Sequence, residues 1–289
     1  MEFAYLIMLY TILGHCNSFI IARKNKDYLM RKLKSFTLIA LTAFAISACS
    51  GSKEVEQRPE QELYNVGQTY LQDGDYSQAI RYLNALHTRF PGSNYSEQTL
   101  LNLIYANYKT QDYTQTLILV DRFLQQYPTS RNLDYALYMA GLTNSALSDN
   151  YIQDLFKVDR ATRESTSIKT AFANFQTLVQ HFPNSPYTPD ALARMAYIKA
   201  SLARHELSIA KFYAKRDAHI AVANRVVGML QQYPDTQATY EALPLMQTAY
   251  EKMNLKELAA QTATIIEANK GRTFAEVEKP TEPNVQLAQ

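Results

Sequence analysis

The chain has 289 residues, with 29 Lys and Arg against 27 Asp and Glu and a formal charge of +2. A balance this even excludes the basic footprint of a nucleic-acid binder, so no nucleic-acid partner is expected. With two cysteines, Cys16 and Cys49, a disulfide framework is excluded as well, and any folded domain must be stabilised by its core.

Residues 1–29 contain a mostly apolar run from Phe3 to Ile21, interrupted by Gly14, His15, Asn17 and Ser18 and close to the length that spans a bilayer. A basic stretch from Arg23 to Lys26 follows it. Residues 30–48 then read as an export signal on their own. They have a basic head (Arg31, Lys32, Lys34), an apolar run from Phe36 to Ile46, and the small-residue exit Ile46-Ser47-Ala48 before Cys49. One signal suffices, so residues 1–29 are expected to lie upstream of the true start at Met30, with Cys16 irrelevant. A cysteine directly after the small residues marks a bacterial lipoprotein box. The Cys49 thiol would be acylated and become the new N-terminus. Each buried CH₂ of an attached chain contributes roughly 0.8 kcal/mol, so several chains hold a domain on a membrane. Ser50 follows, where an aspartate would retain a Gram-negative lipoprotein at the inner membrane; serine resembles the outer-membrane pattern. Removing residues 1–48, with six Lys/Arg and two Asp/Glu, leaves 23 basic and 25 acidic residues and a formal charge of −2. Residues 49–58 read as a tether.

From residue 59 a phrase recurs: an aromatic residue, proline, then a small or polar pair. It stands at Phe90-Pro91-Gly92-Ser93, Tyr127-Pro128-Thr129-Ser130, Phe182-Pro183-Asn184-Ser185 and Tyr233-Pro234-Asp235-Thr236. Each follows one apolar helical pattern and precedes another. Proline cannot continue the first helix, and Ser or Thr suits the cap of the next. The first unit fits the tetratricopeptide pattern through Gly67, Tyr70, Gly74, Tyr76, Ala79, Leu83, Leu86 and Pro91. The second keeps Leu100, Leu103, Tyr113, Val120, Phe123 and Pro128 but loses the glycine and alanine. The third has Gly141, Ala171, Phe175, Leu178 and Pro183. The fourth keeps Ala210, Tyr213, Val222, Val226, Met229 and Pro234. A fifth runs through Leu243, Met246, Tyr250, Ala259 and Ile266. The predicted fold is therefore all-α, a tetratricopeptide-like solenoid of about five helix pairs. Pairs one to three fill 59–188, and pairs four and five fill 189–270.

Two intervals are long. Pro128 to Pro183 spans 55 residues, against 37 from Pro91 to Pro128, and the excess is an insert at 148–167 between the paired helices of the third repeat. In the next interval, Asp190 to Lys215 contains no Pro or Gly, which predicts one long helix. Residues 271–289 turn polar and are expected to be disordered.

No catalytic constellation is legible. There is no HExxH, no glycine-rich phosphate loop and no GxSxG; neither enzyme activity, a metal nor a cofactor is expected. Asp73 and Asp75 flank Gly74 as a helix-stop turn. What remains is a surface for holding peptides. The inward positions of the first helices include Tyr64 in repeat one, Leu101, Tyr105, Tyr108 and Lys109 in repeat two, and Tyr135 and Tyr138 in repeat three. Tyrosine offers a large apolar face and one hydroxyl at low entropic cost, which suits extended chains. The same rings would equally serve as packing between helices.

The acylated Cys49, the five helix pairs, Asp134-Tyr135 through Gly141-Leu142-Thr143-Asn144, the insert Phe156-Lys157-Val158-Asp159-Arg160, and Asn224-Arg225-Val226 before Tyr233-Pro234-Asp235-Thr236 together resemble the BamD (ComL-type) family of outer-membrane lipoproteins of the β-barrel assembly machinery. The resemblance covers residues 49 to about 270. It implies a scaffold without enzymatic activity on the periplasmic face of the outer membrane. Its C-terminal repeats would dock the periplasmic domains of a BamA-like barrel subunit, and it would carry a BamC-like lipoprotein. Its N-terminal repeats would receive segments of unfolded outer-membrane proteins. Arg216 and Arg225 flank a largely apolar helix, and Arg225 lies in the Asn-Arg motif that resembles the family's barrel-subunit contact. The alternative from another class is an outer-membrane lipoprotein that activates a periplasmic cell-wall enzyme.

Overall fold

The computed structural model describes Val55, residues 57–154 and residues 161–281. Residues 1–29, the signal at 30–48, Cys49 and the insert motif Phe156–Arg160 lie outside the described residues. Residues 1–59 and 60–289 are separate compact units. Among its described residues the second has ten helices: α1 Glu60–Gln72, α2 Tyr76–Arg89, α3 Ser96–Lys109, α4 Tyr113–Gln126, α5 Leu133–Asp154, α6 Ala161–His181, α7 Thr188–Ala214, α8 His219–Gln232, α9 Gln237–Lys252 and α10 Lys256–Ala268. Consecutive helices pack on each other throughout, in the five pairs that the aromatic-Pro punctuation predicts.

In the four pairs whose inner turn lies among the described residues, that turn takes one residue in the left-handed region. Gly74 supplies it in the first pair at φ 76°. Where the glycine is missing, Gln111, Asp217 and Asn254 take the same conformation at φ 62°, 56° and 59°, at a cost for an L side chain of about 1–2 kcal/mol. The next residue is the N-cap of the second helix. Asp75 and Asp112 accept the backbone N–H of Gln78 and Gln115 at 3.1 and 3.0 Å. Asp75 is thus a helix cap, satisfying a donor the first turn leaves unpaired.

The stop between pairs is equally regular. The N–H groups of Phe90, Tyr127, Phe182 and Tyr233 donate to the carbonyl four residues back, and Ser93, Ser130, Ser185 and Thr236 donate their N–H back to those aromatics' carbonyls. Proline sits inside the resulting turn, where its fixed φ fits. From its place in the phrase, the Ser is expected to cap the next helix. In the structure the Oγ of Ser93, Ser130 and Ser185 instead accepts the N–H two residues on, before the helix starts. Ser93 and Ser130 also donate to Glu60 and Glu97, at the start of the first helix of their own pair.

Two glycines set how closely paired helices approach. A Cβ on Gly67 would lie 2.8 Å from Leu83 Cδ2, and one on Gly141 would run into Phe175 Cε1. Leu83 and Phe175 are fully buried core side chains and have little room to yield. Gly141→Ala gains about 1 kcal/mol of helix propensity, but forcing a methyl into a packed core typically costs about 1–3 kcal/mol. A lowered melting temperature is expected, read by circular dichroism against the parent chain.

The excess of the third pair lengthens its helices: α5 and α6 have 22 and 21 residues, against 14 each for α3 and α4. The long helix predicted from the absence of Pro and Gly is α7, 27 residues. Two cores form, and α7 enters both. Ala191 and Ile198 belong to the core of the first three pairs; Ala203, Leu207 and Ala210 belong to that of the last two.

Residues 272–281, read from composition as disordered, have no helix or strand but lie against α7 and α9. A segment too poor in apolar residues to build a core can still dock on one already built.

Candidate functional site

First helices of successive pairs touch one another: α1 packs on α3, α3 on α5, and α7 on α9. This first-helix face is where the sequence places a tyrosine groove, and the structure divides the set. Leu101, Tyr135 and Tyr138 are only 1%, 1% and 4% exposed. They do not line an open groove, because their helix face is covered by the next pair. Tyr138 stacks on Tyr187, the N-cap residue of α7, with centroids 4.8 Å apart, and Tyr135 lies tilted against the same ring at 5.8 Å. Burial drives the Tyr135 hydroxyl well above its usual range.

The other tyrosines are half-buried and edge the face. Tyr64 stacks on Tyr95 at 4.3 Å and accepts a bond from Gln68 Nε2 at 2.7 Å. Tyr105 meets Tyr76 edge-on at 5.7 Å. Its hydroxyl is pushed up to about 12, by burial first and then by its hydrogen bond to Tyr76. Lys109 is exposed and sits 5.8 Å from the Tyr76 ring centroid, a cation–π distance. Tyr108 is tilted against Tyr113 and opens into a cleft of about 280 Å³ that Arg194 and Tyr197 of α7 also line.

Arg194 is a member of this site that only the structure brings in. The Tyr138 hydroxyl donates to Asp190 Oδ2 at 2.6 Å, and Asp190 pairs with Arg194 one turn along α7. Burial and then this carboxylate raise the Tyr138 hydroxyl pKa. On Arg194 burial is the largest single influence and opposes the charge, but the contacts with Asp190 and Tyr138 together outweigh it and the net shift is upward. A buried tyrosine thus holds a carboxylate that aims a guanidinium into the cleft. The i,i+4 acid–base pair was visible in the sequence; its partner Tyr138, 52 positions away, was not.

Arg225 and Arg216 are in different settings. Arg225 Nη1 donates to Glu206 Oε2 at 2.8 Å, across α8 and α7. Tyr213, Asn224 and Tyr233 line the same cleft of about 260 Å³. Arg216 lies over the Phe212 ring at 3.5 Å from its centroid, just beyond the end of α7. Cys49 lies outside the described residues. Among the described residues no cluster of three His, Cys, Asp or Glu is placed to hold a metal, and no helix is long and apolar enough to cross a membrane.

Helix pairs stacked through small residues, with a face built from first helices, define a tetratricopeptide-like helical-repeat protein. The family model described as YfiO, outer membrane lipoprotein, matches residues 56–265, and the chain belongs to this family. It is 86% identical over 260 residues to the outer membrane protein assembly factor BamD of Pasteurella multocida, covering 90% of this chain and all of that protein. It is 66% identical to the BamD of Haemophilus influenzae, covering 89% of this chain and 98% of that one. The BamD of Vibrio cholerae is 40% identical over 82% of this chain and 99% of its own length. The family resemblance drawn from the motifs therefore holds.

Proposed function

We propose that the chain is a non-enzymatic scaffold in the assembly of outer-membrane β-barrel proteins, held at the periplasmic face of the outer membrane by an acylated Cys49. The observation that carries this reading is the near-complete match to relatives named as outer membrane protein assembly factors. The cleft around Arg225 on α7 and α8 is the docking region for the periplasmic domains of a BamA-like barrel subunit, with Arg216 at its edge. A BamC-like lipoprotein is the second resident partner. Extended segments of unfolded outer-membrane proteins meet the first-helix face at Tyr64, Tyr105, Tyr108 and Lys109. Leu101, Tyr135 and Tyr138 support that face from beneath. Rings and a cation suit such segments: aromatic side chains stack on tyrosine, and a terminal carboxylate meets lysine as a point charge.

The anchor is tested by Cys49→Ala. Losing all acyl chains removes the roughly 0.8 kcal/mol per CH₂ that holds the domain on the bilayer. The variant is expected in the soluble periplasmic fraction or as uncleaved precursor, without acyl mass by mass spectrometry. Acyl chains still present on Cys49→Ala would place the anchor elsewhere.

A further inference from the structure

The residues that follow α10 turn back across the first-helix face. Arg272 donates to the Tyr240 hydroxyl of α9 at 2.7 Å and lies over its ring, and Phe274 packs on that ring with centroids 4.9 Å apart. Phe274 and Val277 then line a cleft of about 570 Å³ with Ala196, Lys199 and Arg204 of α7. Lys279, Pro280 and Thr281 reach the cleft that Tyr108, Leu142 and Arg194 line. There Arg194 Nη2 donates to the Thr281 carbonyl at 2.9 Å. The segment therefore passes from α9 over α7 to residues of α5 and α3.

Its burial has a period of three. Phe274, Val277 and Pro280 are half-buried, and every other residue from 272 to 281 is exposed. Three residues per turn is the polyproline-II repeat, which at about 3.1 Å per residue carries six residues across roughly 19 Å with no internal hydrogen bonds. The contacts are those an extended peptide would make: one apolar side chain in three on the face, and a backbone carbonyl held by a fixed guanidinium. Tyr138 and Asp190 fix that guanidinium, so the buried tyrosine serves this contact at one remove.

We propose that residues 272–281 are an intramolecular ligand of the first-helix face, a strap docked where an incoming extended segment binds, which that segment must displace. This rests on the reading that the face receives unfolded outer-membrane protein segments. Tethering gives the strap a high effective concentration, on the order of millimolar for a short flexible link. A strap docked nine-tenths of the time would weaken an external peptide about tenfold, since apparent affinity scales with the open fraction.

The chain contains no tryptophan, so Thr281→Trp supplies a single emission probe at a residue held through its backbone. The mature domain with this probe is compared with the same domain carrying Arg194→Met, and the parent domain with one ending at Gly271. Circular dichroism checks that each is folded. A dansyl-labelled C-terminal strand peptide from an outer-membrane barrel protein is the external ligand. The probe is expected to be shielded from acrylamide, to be quenched several-fold more strongly in Arg194→Met, and to become exposed when the peptide is added. The truncated domain is expected to bind the peptide about tenfold more tightly than the full one. A probe equally quenched with and without Arg194 overturns the strap. Equal peptide affinity for full and truncated domains overturns the competition while leaving the face as a peptide site. A shielded, Arg194-dependent probe on a face that binds no peptide even when truncated overturns the substrate reading, and the competition with it.

Discussion

Arg225→Glu is expected to release the barrel subunit while the helical stack stays folded. Arg225 pairs with Glu206 at 2.8 Å, with the two side chains 37% and 25% exposed. A pair this open to solvent contributes about 1 kcal/mol or less to stability, so the fold should lose only a few degrees of melting temperature. At a protein interface the same charge counts for more. Truncating one partner of a desolvated, hydrogen-bonded contact costs about 2–5 kcal/mol, which is a roughly thirtyfold loss or more at 1.4 kcal/mol per factor of ten. The charge swap Arg225→Glu with Glu206→Arg separates the two roles. It restores the internal pair and hence the melting temperature, but leaves a carboxylate where a partner expects a guanidinium. Co-purification of the subunit at wild-type levels with a folded Arg225→Glu variant would remove Arg225 from the interface.

Tyr138→Ala and Tyr108→Ala are expected to fail in opposite ways. Tyr138 is buried, stacked on Tyr187 and bonded to Asp190. Truncating a buried aromatic side chain costs about 3–5 kcal/mol, so Tyr138→Ala should lower the melting temperature by roughly 6–20 degrees. Tyr138→Phe keeps the ring and should recover most of that loss. Tyr108 is half-buried at the edge of the cleft. Its loss should leave the melting temperature nearly unchanged and weaken binding of a barrel-derived peptide by about tenfold, the 1–2 kcal/mol of one ring in a binding hot spot. Peptide binding by Tyr108→Ala that matches the parent would remove this ring from the site, and a stable Tyr138→Ala would contradict its place in the frame. Titrating the peptide and melting the protein on the same preparations gives both readouts.

The pairing of helices was legible because its causes are local. Proline stops a helix wherever it stands, and the aromatic before it closes the last turn, so four such phrases mark four boundaries. Gly67 and Gly141 were readable as close approaches because the tetratricopeptide pattern fixes which helix position faces its partner. The fate of a tyrosine was not readable in this way. Tyr105 and Tyr138 both occupy inward first-helix positions, yet one edges the face and the other lies beneath Tyr187. The difference is made by a residue 49 positions further on, which periodicity cannot see. The same holds for Glu206 beneath Arg225 and for Asp190 between Tyr138 and Arg194. Composition likewise marks residues 271–289 only as too polar to bury a core of their own. It cannot report that a finished solenoid offers them Tyr240 and Arg194.

This helical stack is expected to work as a scaffold in outer-membrane protein assembly. The most direct measurement is capture of the tagged, acylated full chain from membranes solubilised in mild detergent, with the bound proteins identified by mass spectrometry. The expected result is stoichiometric recovery of an integral β-barrel subunit with periplasmic domains, reduced at least tenfold by Arg225→Glu. Recovery of a cell-wall enzyme in its place, or of the chain alone, would contradict that claim.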